Sequence, residues 1–294
     1  MHVFVTGATG LVGTAVVADL LAHGHTVSGL ARSDTSAAAL ERAGATPVRG
    51  SVDDLDVLRD AAAPADAAAH LAFDHTAFGS VEAITRAVAQ EHAAVAAIGD
   101  ALAGSDRPFA VTSGTPMTPG RASVERDPLV MEGPLGGRGR TVAAALALAD
   151  RGVRSSVVRL PRTVHRDGEG GFAGLLTAMA RTSGVAGHPG SGDQRWPAVH
   201  ALDAAALFRL ALERAPAGTS WHAVGEEGVG VRATVEVVGR RLGLPVQALP
   251  DDAFGPLAGV FVLDQPSSSE HTRTTLGWEP THVGLLADLE QLQP

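Results

Sequence analysis

The chain has 294 residues, 45% of them apolar, which is enough for one large α/β domain or a nucleotide-binding core with a smaller lobe. Its net charge of -9 and pI near 5.7 exclude a basic surface for nucleic acid or an acidic membrane, leaving a small molecule as the expected partner. Cysteine is absent, which excludes disulfides and thiolate zinc sites, and no long apolar run or cleavable leader is seen, so a cytoplasmic location is expected.

His2 to Val5 sets short apolar side chains before Thr6-Gly7-Ala8-Thr9-Gly10-Leu11-Val12-Gly13, as a first buried parallel strand feeding a glycine turn does. Leu11 to His23 follows as a helix, Thr26 to Ala31 as the second strand, and Ser36 to Ala43 as a helix that Gly44 closes. Thr46 to Arg49 reads as the third strand, Leu55 to Ala62 as a helix and Ala67 to Leu71 as the fourth strand. A long Ala-rich helix over Val81 to Leu102 leads to the fifth strand at Pro108 to Thr112, a helix at Thr141 to Asp150, and the sixth strand at Ser155 to Leu160. This alternation predicts an α/β fold with a doubly wound parallel sheet of the Rossmann type.

After Pro161 the alternation loosens. Residues 162–171 and 184–195 read as Gly-rich loops, with a helix over 172–182 between them. Helices are predicted at Asp203 to Glu213, Thr234 to Leu242 and Leu285 to Leu292, with extended segments at His222 to Val224 and Pro245 to Leu249. The expected division is a dinucleotide-binding core of residues 1–165 and 196–224 and a small C-terminal substrate-binding lobe of 166–195 and 225–294. Ligands of such sheets bind outside the carboxyl ends of the strands, where the irregular later segments can close over them.

The glycine turn predicts the cofactor site. Gly7 permits a tight turn, Gly10 lets the backbone approach a pyrophosphate, and Gly13 allows close helix packing, while the helix start offers free N–H groups at Thr9, Leu11 and Val12. The choice between nicotinamide cofactors falls at the end of the second strand, where an acid would bind the ribose hydroxyls. Ala31-Arg32-Ser33 has no carboxylate there, so Arg32 and Ser33 point to NADP(H) rather than NAD(H), with Asp34 still within reach of a ribose.

The glycine motif resembles that of the short-chain dehydrogenase/reductase superfamily, and other segments resemble its extended, NAD-dependent epimerase/dehydratase-like branch. Arg49-Gly50-Ser51-Val52-Asp53 is similar to the family segment whose aspartate accepts from the adenine amino group, which implies that role for Asp53. His70-Leu71-Ala72-Phe73 matches the segment lining the cofactor, implying Leu71, Ala72 and Phe73 as contacts, with His70 packed beside the sheet. Arg195-Trp196-Pro197-Ala198-Val199-His200 with Asp203, and Leu276-Gly277-Trp278-Glu279-Pro280, resemble late signatures of the branch. The resemblance also implies a homodimer through the helices at 81–102 and 141–150.

One departure from the family is decisive: the chain has no tyrosine, and all 23 of its Lys and Arg positions are arginine. The family's proton-transferring tyrosine and the lysine four residues later therefore cannot exist. The stretch where they belong reads Leu135-Gly136-Gly137-Arg138-Gly139-Arg140-Thr141-Val142. Arg138 or Arg140 can supply the lysine's charge, but guanidinium stays protonated and cannot serve as the acid. The resemblance implies Ser113, with Thr115 as second choice, as the hydroxyl that orients the substrate oxygen. For the proton source, His165, just past the sixth strand, and a water held by Ser113 and Thr115 are the two readings, with His75 and His200 as more remote candidates. The twelve histidines show no metal-ligand spacing, and no metal is expected.

Phe78, Met117, Phe172 and Trp196, with Phe73 and Met179, fall in segments expected to face the crevice, and Arg195 could receive an acidic group. They point to a small apolar, aromatic or polycyclic ligand, and the loops at 115–137 and 162–171 are candidate lids. Three functions stay open: an NADP(H)-dependent reductase of a carbonyl-like or activated substrate, a non-redox cyclase, isomerase or epimerase, and a cofactor-binding redox sensor.

Overall fold

A computed structural model describes residues 1–75, 80–133 and 136–293. Seven parallel strands form the central sheet: β1 (His2–Thr6), β2 (Thr26–Ala31), β3 (Thr46–Arg49), β4 (Ala67–His70), β5 (Pro108–Gly114), β6 (Arg154–Leu160) and β10 (Thr219–His222). Their order is β10-β6-β5-β4-β1-β2-β3, so the winding reverses between β1 and β4 and opens a crevice at the carboxyl ends there.

Strand alternation sorts side chains between the two faces. Val3, Val5, Ala67, Ala69, Ala110 and Val158 pack with α1 (Leu11–Ala22), α2 (Asp34–Ala43) and α7 (Ala201–Arg214). Phe4, Ala68, Phe109, Val111 and Val157 pack against α3 (Leu55–Ala62), α4 (Val81–Leu102) and α5 (Gly136–Ala147). Continuing the same period along β1, β4 and β5 puts Thr6, His70 and Ser113 on the α4–α5 face, at the crevice end. The polar residues of the site are thus an extension of the core's own alternation.

The remaining elements make the smaller lobe. β7 (Thr163–His165) runs parallel to β9 (Arg195–His200), which pairs antiparallel with β11 (Glu226–Gly230), while β8 (Ala186–Pro189) and β12 (Val246–Leu249) form a second, parallel pair. Helices α6 (Gly171–Ser183), α8 (Val231–Leu242), α9 (Ala258–Phe261) and α11 (Leu285–Leu289) surround them, and Trp196, Phe254, Phe261, Leu285 and Leu289 fill the core of the lobe. Helix α10 (Glu270–Leu276) lies against the core.

The expected boundaries change in several places. The helix expected at 141–150 is α5 at 136–147, the segments expected to be loop at 162–171 and 184–195 contain β7 and β8, and β9 and β11 are strands where none was expected. These strands are three to six residues long and lack alternation, so they are set by backbone pairing with distant partners, which a local pattern does not report. The 115–137 segment, expected as a lid, is pinned over residues 121–127. The Arg121 guanidinium holds the Asp127 carboxyl well below the ordinary range, Arg159 donates to the Glu125 and Asp127 carbonyls, and Glu125 accepts from Thr272. Among the described residues, no helix is long and apolar enough to cross a membrane.

The lobe is latched to the core at the start of α7. The buried Asp203 carboxylate accepts from the backbone N–H of Thr281 (2.9 Å) and His282 (3.1 Å) and from the His282 ring (2.7 Å). Trp278 Nε1 donates to the Asp203 carbonyl at 2.9 Å. Replacing Asp203 by Ala leaves two amides without their acceptor, at a cost of about 1–3 kcal/mol. Urea denaturation is expected to show that loss, with the segment after Trp278 becoming protease-sensitive first; an unchanged midpoint would show that the latch carries no load.

Candidate active site

The turn after β1 is built by contacts that only glycine permits. Gly7 has φ +68°, and a Cβ there would lie 2.7 Å from the Ala72 nitrogen; a Cβ on Gly13 would lie 2.0 Å from the Gly7 carbonyl oxygen. Helix α1 therefore starts pressed against the turn. Its N-cap, Gly10, has no side-chain cap, its first turn has no acid, and its first internal bond runs from the Thr14 N–H to the Gly10 carbonyl. The amides of Leu11, Val12 and Gly13 have no acceptor among the described residues, beside exposed Thr9 and Gly10. Such a bare helix start fits a dinucleotide pyrophosphate.

At the end of β2, Arg32 is exposed and has no partner among the described residues. Ser33 is spent differently from expectation: its hydroxyl caps α2 by accepting from the Ser36 N–H in a reciprocal capping box. Asp34 is tied to Arg49 at 2.6 Å, and Asp53 accepts from Gln90 at 3.1 Å while staying exposed. It is Asp54, not Asp53, that accepts the Ser51 N–H. Leu71 and Ala72 form the wall against Gly7.

On the α4–α5 face a part-buried cation is paired with a buried acid. Arg138, in the first turn of α5, forks onto Glu91 of α4, with Nη2 to Oε1 at 2.8 Å and Nε to Oε2 at 3.1 Å, and its guanidinium lies 4.2 Å from the centre of the Phe73 ring. Burial pushes the Glu91 carboxyl up, and the Arg138 charge opposes that shift. Behind this pair, His70 Nδ1 and Thr6 Oγ1 are 2.9 Å apart, while His70 Nε2 is buried without a partner. Burial first, and the Arg138 charge second, lower the His70 pKa from 6.5 to about 4, so this imidazole is neutral. Ser113 shares the face, and the Thr115 hydroxyl is buried with no hydrogen bond. The cluster sets a cation fixed by its carboxylate, and a neutral imidazole, on the face that carries Ser113.

His165 is elsewhere. Its Nδ1 is 3.0 Å from Asp288, whose carboxylate also accepts from the Asp167 and Gly168 amides, and its ring meets His200 edge to face at 5.5 Å. Together with His200, His282, Asp203, Glu226 and Arg273 it lines a cavity of about 280 Å³ to which β5 contributes nothing. The expectation that His165 protonates a substrate held by Ser113 is therefore corrected: the chain after β6 turns into the lobe instead of along the crevice. His200 is committed as the N-cap of α7, and His75 stands edge-on to Phe73 at 5.3 Å. Among the described residues, no group of three or more His, Asp or Glu is placed to hold a metal ion.

The predicted substrate contacts separate as well. Phe172 and Trp196 come together with Phe261 as an aromatic cluster, with Trp196 buried and its Nε1 donating to the Leu263 carbonyl at 3.0 Å. Arg195 faces outward in an exposed pair with Asp264 at 2.8 Å, which corrects its assignment as a receptor for the ligand. Met117 is exposed at the β5 end, Arg140 donates to the Met131 carbonyl, and Phe78 lies outside the described residues. Met179 lines a separate, apolar groove of the lobe. Two side chains that the sequence reading did not name stand at these clusters: Glu91, paired with Arg138, and Arg162, bonded to Gln265. Glu91 interrupts the buried stripe Ala87, Val88, Ala94, Val95 and Ile98, and a carboxylate at a core position of an amphipathic helix is a signal readable from sequence.

Comparison with known proteins agrees with this architecture. The model of the NAD dependent epimerase/dehydratase family matches residues 3–224, and the chain belongs to that family. It is similar to an uncharacterized protein of Schizosaccharomyces pombe, with 39% identity over 98% of both chains, and to one of Saccharomyces cerevisiae, with 40% identity over 98% of both. Among solved structures it resembles a UDP-glucose 4-epimerase of Thermotoga maritima with UDP-glucose, at 21% identity and TM-score 0.78, covering 99% of this chain and 97% of the other. It also resembles a dTDP-glucose 4,6-dehydratase of Streptomyces venezuelae with NAD bound, at 19% identity and TM-score 0.78, covering 99% and 95%. Family and geometry together support a nicotinamide cofactor on the glycine turn.

The buried neutral His70 gives the site a pH signature. Its folded pKa near 4 lies below the unfolded value of 6.5, so the unfolded chain takes up the proton first as pH falls. Stability is full above pH 6.5 and is lost between there and about pH 4, by about 3 kcal/mol from this residue. Unfolding free energies measured across that window are expected to fall less steeply for His70→Gln than for the wild type. Equal slopes would show that His70 protonates without penalty.

Proposed function

We propose that this protein is an NADP(H)-dependent oxidoreductase, acting as a reductase on a small carbonyl-like or activated substrate without a side-chain general acid. The observation that carries the reading is Arg138, clamped by Glu91 and stacked on Phe73 beside the cofactor-lining segment. The Leu11, Val12 and Gly13 amides would hold the pyrophosphate, and Arg32, with no acid at the end of β2, would meet a ribose 2′-phosphate. A reduced nicotinamide supplies a hydride when bound. Arg138 would give fixed positive charge beside it, which favours negative charge developing on a substrate oxygen.

Ser113 and Thr115 orient that oxygen, and water held by their hydroxyls carries the proton. Losing a dedicated acid typically costs ~10²–10⁴ in rate, so an acceptor that is already activated, such as an iminium, an enone or a polarised ring carbonyl, is favoured.

The purified protein is to be titrated with NADPH and NADH and then assayed for NADPH oxidation against ketones, enones, quinones and imines. Arg32→Ala is expected to weaken NADPH binding about tenfold, the loss of one charge-assisted contact, and to leave NADH unchanged. Equal weakening of both would remove the preference for the phosphorylated cofactor. Ser113→Ala is expected to lower kcat/KM about 10-fold to 100-fold with NADPH affinity unchanged. Tight NADPH binding with no acceptor reduced would favour the non-redox or sensor functions.

A further inference from the structure

Arg162 is a part-buried cation with no acid partner among the described residues. It follows the end of β6, at the carboxyl side of the sheet. Its Nε donates to Gln265 Oε1 at 2.5 Å and its Nη1 to the Val260 carbonyl at 2.8 Å, while Nη2 has no partner among the described residues. The Gln265 amide in turn donates to the Thr115 carbonyl at 2.9 Å and the Pro116 carbonyl at 3.3 Å. One side chain therefore separates this guanidinium from the end of β5, where Thr115 keeps a buried, unpartnered hydroxyl. The Phe172 and Trp196 rings flank it, with centres 5.1 and 5.4 Å away.

Arg107 and Arg154 also lack an acid, but both terminal nitrogens of each donate to backbone carbonyls. Arg138 is paired with Glu91 and Arg209 with Asp19 and Glu213, while the buried Arg159 is near Glu125 and Asp127. Arg162 has none of these, and burial alone brings its pKa down to about 10, still charged at neutral pH. A guanidinium taken out of water without a counter-charge opposes folding. Neutral carbonyl acceptors and ring faces offset only part of that cost, and an incoming anion would offset the rest.

We propose that Arg162 is an anion subsite of the crevice and that the substrate carries an oxyanion, a carboxylate or phosphate-type group, on a flat apolar body. With Nε and Nη1 already occupied, the oxyanion is met end-on by Nη2, and the partly exposed Phe172 ring receives the body. This rests on the reading of the crevice as a substrate site and revises its ligand from purely apolar to amphipathic.

The test uses benzoate, phenylphosphonate and the neutral benzamide as probes, followed by calorimetry and by tryptophan fluorescence, for which Trp196 is the local reporter. Titrations are run with and without saturating NADPH on the full chain. The wild type is expected to bind benzoate or phenylphosphonate at least tenfold more tightly than benzamide, the tighter of the two naming the anion. Arg162→Gln is expected to abolish that preference, and Arg162→Lys, which keeps the charge and guards against a folding defect, to retain part of it. Equal binding of benzamide and the anions, no binding of any probe, or an anion preference that survives Arg162→Gln would overturn the subsite. If NADPH fails to bind while the Arg162-dependent preference persists, the cofactor reading falls and the subsite stands. If NADPH binds and the preference is absent, the subsite falls and the cofactor reading stands.

Discussion

The contact between Gly13 and the Gly7 carbonyl governs the rest of the molecule. A side chain at either residue would strike backbone, so α1 is held against the turn after β1, and its first amides face the crevice instead of a protein acceptor. From there the architecture propagates by packing. Helix α7 lies along α1, Asp203 at the start of α7 gathers the C-terminal segment, and Gly170, at the entry to α6, sits so close to Leu11 that a Cβ there would be 2.6 Å from the Leu11 side chain. The cofactor turn and the smaller lobe are thus mechanically one assembly.

The chemistry of the crevice follows from a chain that uses only arginine as its permanent cation. A guanidinium can bind and polarise but cannot exchange a proton at neutral pH, so charge stabilisation and proton supply are separated. Arg138 has its carboxylate from α4 and an aromatic face beneath it, which fix its position at the expense of part of its field. Arg162 has aromatic faces and neutral acceptors only. The first arrangement suits a permanent fixture beside a cofactor, and the second suits a group whose counter-ion comes and goes.

Much of the core was readable because parallel strands buried on both faces give short apolar runs, and the helices between them carry caps and stops. Thr26–Ala31, Thr46–Arg49 and Leu55–Ala62 stand where the pattern placed them. The lobe was harder: Ala186–Pro189 and Glu226–Gly230 are strands only because partners far along the chain complete their hydrogen bonds. His165 shows the same limit at the level of a side chain. Its distance in sequence from β6 suggested the substrate crevice, yet Asp288, 123 residues later, turns it into a different cavity.

The sequence alone determined the class of fold, the glycine turn and the loss of the tyrosine and lysine pair, because these depend on local sterics, periodicity and the simple presence of a residue type. Tertiary structure decided which arginine has an acid and which does not, that His70 is neutral and that His165 serves the lobe. Those properties depend on desolvation and on partners brought within a few ångströms by folding, and neither is encoded in the spacing of residues along the chain.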